Sequence, residues 1–466
     1  MEHRPRSVAA DSSADSAVVS TCVGMRGSDR WAAPLVRIID MTATVAAHER
    51  RALLLAFGCN FVLLGSYYIL RPVRDAMATV FGVAQLQNLF TGTLVLTLIF
   101  APLFAWVTGK FKLATVLPGV FWFLIFNLLL FYCGMKAVPD SRWLAAAFFW
   151  WFSVINLLII SVFWSLMVDI FTPDQATRLL PAIAAGGSLG AIAGPLIARL
   201  CANRIGVPGL LLIAAAGLTW VILFVHRLMR EKQRLQYAHE ETQVSSLDHN
   251  LSGDLFGGFR ALLSSSYLMN QAVFILLMTW IATIGYFIQT DLITKAFSSI
   301  TARTQALADI DLGVNICSAA VLILGLSRYI KRFGVTASLV LNPFLMAISF
   351  ILMALSPTLV MLQAMQGLRR VTQYAIARPS REICFTVVAQ ENRYKAKNVI
   401  DTVVYRLGDL SAAWVQAGLR ALGFGLGGAL SLGVLASGVW GIAAWCLGRQ
   451  YEHRRAARGE RKLTVA

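Results

Sequence analysis

Long apolar stretches alternate with short polar ones along the whole chain, and twelve of the apolar stretches meet or approach the length of a membrane span. A helix needs about 20 mostly apolar residues to cross the hydrocarbon of a bilayer. In the first half such stretches fall near residues 53–70, 89–107, 113–133, 143–168, 180–200 and 207–224. In the second half they fall near 267–288, 312–326, 335–355, 359–376, 399–419 and 422–447. The pattern predicts an all-α integral membrane protein with twelve transmembrane helices in two six-helix pseudo-repeats.

The longest polar interval, residues 230–262, sits near the midpoint and marks the boundary between the halves. The expected organisation is a disordered cytoplasmic tail over 1–50, a first bundle over 51–229, a cytoplasmic linker over 230–262, a second bundle over 263–448 and a basic tail over 449–466. The tail has no secretory-signal pattern. Met41 opens an ordinary lead-in to the first span, so Met1 and Met41 are both open as translation starts. Two parallel six-helix repeats around a linker are the arrangement of the major facilitator superfamily.

Composition agrees with a lipid solvent, since 57% of residues are hydrophobic and only 14% charged. A net charge of +17 raises the question of nucleic acid, but the basic residues lie in loops between apolar stretches. Counted alternately, the loops on the side of both termini hold most of the Lys and Arg, so both termini are expected in the cytoplasm and the membrane is expected to be a bacterial inner membrane. The expected partners are lipids and a small anionic solute rather than nucleic acid. The scattered cysteines and histidines show no metal-ligand spacing, so neither a metal nor another cofactor is expected. No nucleophile, base and oxyanion grouping appears, which argues against an enzyme.

Two glycine patterns read as structural. Gly186, Gly190 and Gly194 recur every fourth residue in the fifth span and predict close helix packing. Gly423, Gly425 and Gly428 match a dinucleotide fingerprint, but no strand precedes them. Trp150, Trp151 and Trp164 in the fourth span read as packing and interface residues.

The candidate chemistry lies in charges that interrupt the spans. When the second half is laid over the first so that Gly285 falls on Gly65, Arg71 meets Asp291 and Asp75 meets Lys295. Each half then holds an opposite-charge pair at i,i+4, with the signs reversed. An unpaired charge in the membrane costs about 2.5 to 3.5 kcal/mol on insertion scales, so Arg71, Arg74, Asp75, Asp291 and Lys295 either lie beyond the helix ends or face a wet cavity. The shared helix face favours the cavity. Arg369 and Arg370 interrupt the tenth span, Arg378, Arg381 and Glu382 follow it, and Asp401 and Arg406 lie in the eleventh. A basic lining of this density suits a polyanion, whose oxygens must regain charge-assisted hydrogen bonds on leaving water; loop positions for Arg378 and Arg381 stay open.

These residues carry a family resemblance. The run 70–75 (LRPVRD), the run 291–295 (DLITK), Arg370 with Tyr374, Pro379 to Glu382, Lys395 with Lys397, Ile400 with Asp401, and Arg406 with Gly408 resemble the motifs of the nucleotide (ATP/ADP) translocase family of plastids and intracellular bacteria, which lies close to the major facilitator fold. The sequence departs from those motifs at Pro72, at Thr294 and in the fourth span, where Asn156 is the polar residue near Phe152. The resemblance implies that Arg74, Lys295, Arg370, Lys395 and Lys397 face phosphate, with Asp291 and Asp401 as their acidic counterparts. It further implies exchange of nucleotides or related phosphorylated anions by alternating access, in a protein that works as a monomer. A proton-coupled carrier of another solute, titrating through Asp75, Asp291 or Asp401, and a non-transporting scaffold or receptor are the other readings.

Overall fold

The computed structural model describes residues 45, 49–110, 113–237, 259–260, 262–324, 326–388, 396–397 and 399–465. Among them every long element is helical. The first half comprises α1 (Arg50–Phe81), α2 (Leu86–Lys110), α3 (Leu113–Ala137), α4 (Arg142–Ile170) and one long segment, Pro173–Tyr237, that breaks at Gly206 into α5 (173–205) and α6 (207–237). Gly206 has φ 71°, a left-handed conformation open to glycine at little steric cost, and Pro208 then supplies a φ preset for the start of α6.

The second half comprises α7 (Ser266–Ala296), α8 (Ile300–Leu324), a segment Leu326–Leu355 that breaks at Gly334 to begin α9 (335–355), α10 (359–385), α11 (400–421) and α12 (Leu426–Val465). Side-chain caps start α4, α7 and α10, where Ser141, Ser265 and Thr358 accept from the backbone N–H three residues on. Gly423, with φ 85°, closes α11 by donating to the Arg420 carbonyl, so this part of the dinucleotide-like glycine motif is a helix-ending turn.

Seven helices among the described residues are long and apolar enough to cross a membrane, with α5 and α6 taken together as one. The helices α4, α8, α10 and α11 are not in that set, and the last three carry several of the charged residues described below.

Each half has its own core. One buries Leu53, Leu63, Phe121, Phe148 and Leu210, the other Tyr267, Phe274, Phe350, Leu362 and Trp440. The first is held by close backbone approach, because α1 packs most extensively on the α5–α6 segment. A Cβ on Gly190 would lie 2.2 Å from the Phe61 carbonyl oxygen, and one on Gly194 would lie 2.5 Å from that of Gly65. The four-residue glycine repeat is therefore a packing groove for α1, as its spacing predicts.

A smaller cluster joins the halves. Phe81, Leu86, Leu89 and Phe149 pack with Phe287 and Ala413, and the Phe90 ring stacks on Phe287 at 6.1 Å. Around it Arg303 donates to Thr79, Trp414 to Thr91, Arg420 to the Val83 carbonyl, Gln305 to the Arg199 carbonyl and Asn315 to the Ala191 carbonyl. Arg199 also pairs with Asp309 at 2.7 Å. Apart from the Asn315 contact, near the middle of α8, these residues lie toward the helix ends away from the chain termini, so the two bundles are closed on each other at that end.

Candidate functional site

Several spans run farther than their hydropathy suggests. The first continues past residue 70 and through Pro72 to Phe81, so Arg71, Arg74 and Asp75 lie inside α1 and not in a loop. Pro72 has no N–H to give the Tyr68 carbonyl, and neighbouring helices make such a break tolerable within a membrane. The eighth span begins at Ile300 and not at 312, which makes Arg303 a helical residue and brings Asp309 and Asp311 into α8. The tenth continues to Phe385 through a π-helical turn, Gln373–Ala377, so Arg378, Arg381 and Glu382 are helical as well. Pro379 accounts for that turn: its ring would clash with the carbonyl four residues back, and the wider turn relieves the clash while Arg378 N–H donates to the Gln373 carbonyl.

The two expected i,i+4 pairs differ. Lys295 donates to Asp291 at 2.7 Å, but Lys295 is 68% exposed and stands in the last turn of α7, so this pair sits at a helix end. The matching pair in the first half is not made. Asp75 accepts instead from its neighbour Arg74 at 2.8 Å and from the Tyr286 hydroxyl of α7 at 3.2 Å. The Arg74 guanidinium is further held over the rings of Phe149 and Phe152, at 5.2 and 5.6 Å.

Arg71 turns to a residue that the span boundaries left out. Its Nε stands 3.7 Å from Asp311 Oδ2, and Arg370 Nη1 of α10 donates to Asp311 Oδ1. Asp311 thus joins a cation of the first bundle to one of the second, and its side chain is 2% exposed. The signal was present in the sequence: Thr304, Ala308, Asp311 and Val314 are all buried and follow helical spacing, but a window begun at 312 excludes the carboxylate.

Beside this pair, Arg369 has no carboxylate partner among the described residues. Its guanidinium donates to Gln366 Oε1 at 3.0 Å and Gln373 Oε1 at 3.1 Å. Gln366 is fixed in turn by donating to the Gly285 carbonyl and to Gln289. Tyr374 lies among the guanidinium groups of Arg71, Arg369, Arg370 and Arg378. It is nevertheless 40% exposed. On α11, Arg406 stands 3.6 Å from Asp409, which accepts from Thr283 of α7. In this region Arg71, Arg74, Arg369, Arg370 and Arg406 outnumber Asp75, Asp311 and Asp409, leaving an excess of positive charge between the bundles.

A second group lies toward the end that carries the termini. Arg381 contacts Asp401 at 3.1 Å and Glu382 at 3.0 Å, and Lys397 donates to Glu382. Arg381 is eleven residues beyond Arg370, about 16 Å at 1.5 Å rise per residue, so this network is distinct from the Asp311 cluster. Lys395 lies outside the described residues. The structure therefore gathers Arg71, Arg74, Asp75 and Arg370 about the bundle interface, keeps Arg406 close by on α11, groups Glu382, Lys397 and Asp401 apart, and sets Asp291 and Lys295 at the end of α7.

A family model described as Major Facilitator Superfamily matches residues 56–370. No curated protein matches the sequence. Among solved structures, a bacterial homologue of the iron transporter ferroportin in an inward-facing state aligns with TM-score 0.61 at 10% identity, covering 87% of this chain and 100% of that one. A bacterial homologue of the human lysosomal transporter Spinster aligns with TM-score 0.56 at 13% identity over 88% and 99%. The nucleoside transporter NupG aligns with TM-score 0.53 at 16% identity over 86% and 98%.

Proposed function

The chain belongs to the Major Facilitator Superfamily and is a multi-pass membrane transporter, and from that premise we propose that it exchanges nucleotides or related phosphorylated anions by alternating access. The observation that carries the reading is the cationic excess where the bundles meet. Arg71 from the first half and Arg370 from the second share the Asp311 carboxylate, and both, with Arg369, lie close enough to Tyr374 to act on it electrostatically. A phosphate group leaving water needs such convergent, rigid donors, and guanidinium forks supply them in pairs.

With the bundles closed at the end away from the termini, the site opens toward the terminal side, which the positive-inside rule assigns to the cytoplasm of an inner-membrane protein acting as a monomer. Exchange of ATP for ADP moves one net charge, so a membrane potential biases it by about 2.3 kcal/mol per 100 mV. Uptake of labelled ATP into proteoliposomes tests the reading. Uptake that requires trapped ADP and proceeds without a pH gradient supports it, whereas uptake that needs no trapped ADP and is driven by an imposed pH gradient indicates a proton-coupled carrier.

Arg369→Gln should separate binding from folding. Arg369 has only amide oxygens as partners, so the substitution strands no buried carboxylate. The expected result is an unchanged melting temperature with an apparent affinity for the exchanged nucleotide about tenfold weaker, the loss of one charge-assisted hydrogen bond. Unchanged affinity in the exchange assay would remove Arg369 from the site.

A further inference from the structure

Building on the anion-carrier reading of the site, we infer that Asp311 is a built-in counter-anion, whose carboxylate in the empty carrier holds the place that a substrate phosphate takes between Arg71 and Arg370. The two arms of its bridge are unequal. Within its own bundle Asp311 accepts directly from Arg370. Toward the other bundle Arg71 stands 3.7 Å from Oδ2, an ion pair without a hydrogen bond, and Oδ2 is buried with no hydrogen-bond partner.

Arg370 is itself 5% exposed, and its Nε is buried and equally unpartnered. Buried polar atoms of this kind are ordinarily satisfied, so one cluster leaves both an acceptor and a charged donor unused. A terminal phosphate removes that mismatch. It has three oxygens where the carboxylate has two, and can take a guanidinium fork from Arg370 while also accepting from Arg71.

Two consequences follow from the geometry. A neutral or cationic solute has nothing with which to displace a carboxylate from two guanidinium groups, so Asp311 selects for anions carrying more than one negative charge. Displacing Asp311 from Arg71 also removes an ionic tie between the two bundles, so occupancy of the site bears directly on the equilibrium between the closed and open ends.

The test uses the purified full-length protein and pyrophosphate and ATP as probes, with affinity measured by titration calorimetry and checked by thermal shift. Asp311→Asn removes the competing charge and retains the shape, and pyrophosphate affinity is expected to rise about tenfold. Asp311→Glu keeps the charge and extends its reach toward Arg71 by one methylene, and affinity is expected to fall about threefold or more. Unchanged or weaker binding by Asp311→Asn overturns the inference, as does wild-type affinity in Asp311→Glu. If Asp311→Asn cannot be purified folded, the Asp311→Glu measurement decides alone. A wild-type protein that binds neither probe would sink the anion-carrier reading itself, which keeps the two failures distinct.

Discussion

Arg370→Ala should abolish exchange and weaken the fold together. Arg370 is buried at 5% exposure and makes the only direct hydrogen bond to Asp311 among the described residues. Its removal leaves Asp311 facing Arg71 across 3.7 Å, in a site 2% exposed. Breaking a buried ion pair from one side costs about 3–5 kcal/mol when the remaining charge is left uncompensated, and Arg71, without a hydrogen bond to Asp311, offsets only part of that. The substrate loses a guanidinium fork at the same time, so flux in proteoliposomes should fall about 100-fold or more. Arg370→Lys keeps the charge but not the paired donors, and should restore the melting temperature more fully than the transport rate. Full transport by Arg370→Ala would place the binding site elsewhere.

The second large effect concerns the fold alone. Gly190→Val should leave little folded protein, because a Cβ there meets the Phe61 carbonyl at 2.2 Å and the Gly65 nitrogen at 2.9 Å. Both neighbours are α1 backbone and cannot rotate away. Overpacking of this kind costs about 1–3 kcal/mol and sometimes more, and here it acts where the first bundle buries its longest contact. Gly119→Ala is the control, since nothing lies within 4 Å of its Cβ position; its melting temperature in detergent should match the wild type or rise slightly, as alanine favours a helix. Equal melting of Gly190→Val and the wild type would mean that α1 and α5 do not pack as described.

Much of the architecture was legible because a bilayer constrains sequence so strongly. The apolar runs, the central polar interval and the four-residue glycine repeat of α5 each carry local information that needs no partner to be read. The charges were harder to place for the same reason that they matter. A hydropathy window ends where ionised residues begin, so it stopped α1 at residue 70, started α8 at 312 and closed α10 at 376, each time at the edge of the site.

Asp311 was lost by a single position. The pairing of Arg71 was misjudged because i,i+4 spacing records which residues share a helix face, not which neighbour that face meets. Asp75 found Arg74 and Tyr286, and Arg71 found a carboxylate of the other bundle. Asp291 and Lys295 did pair as their spacing indicates, at the end of α7. Tyr374 could be quoted from a motif, but its position among guanidinium groups of α1 and α10 exists only in three dimensions.

The central claim is that an anion binds between the bundles at the Arg71, Arg369, Arg370 and Tyr374 cluster, reached by water from the side of the termini. It is tested most directly by Tyr374→Cys in a background whose native cysteines have been replaced. A membrane-impermeant thiol reagent applied to inside-out vesicles should label position 374, and ATP or pyrophosphate should slow that labelling in proportion to occupancy. Labelling that neither polyanion slows, or a thiol that reacts from neither side of the membrane, would contradict the account.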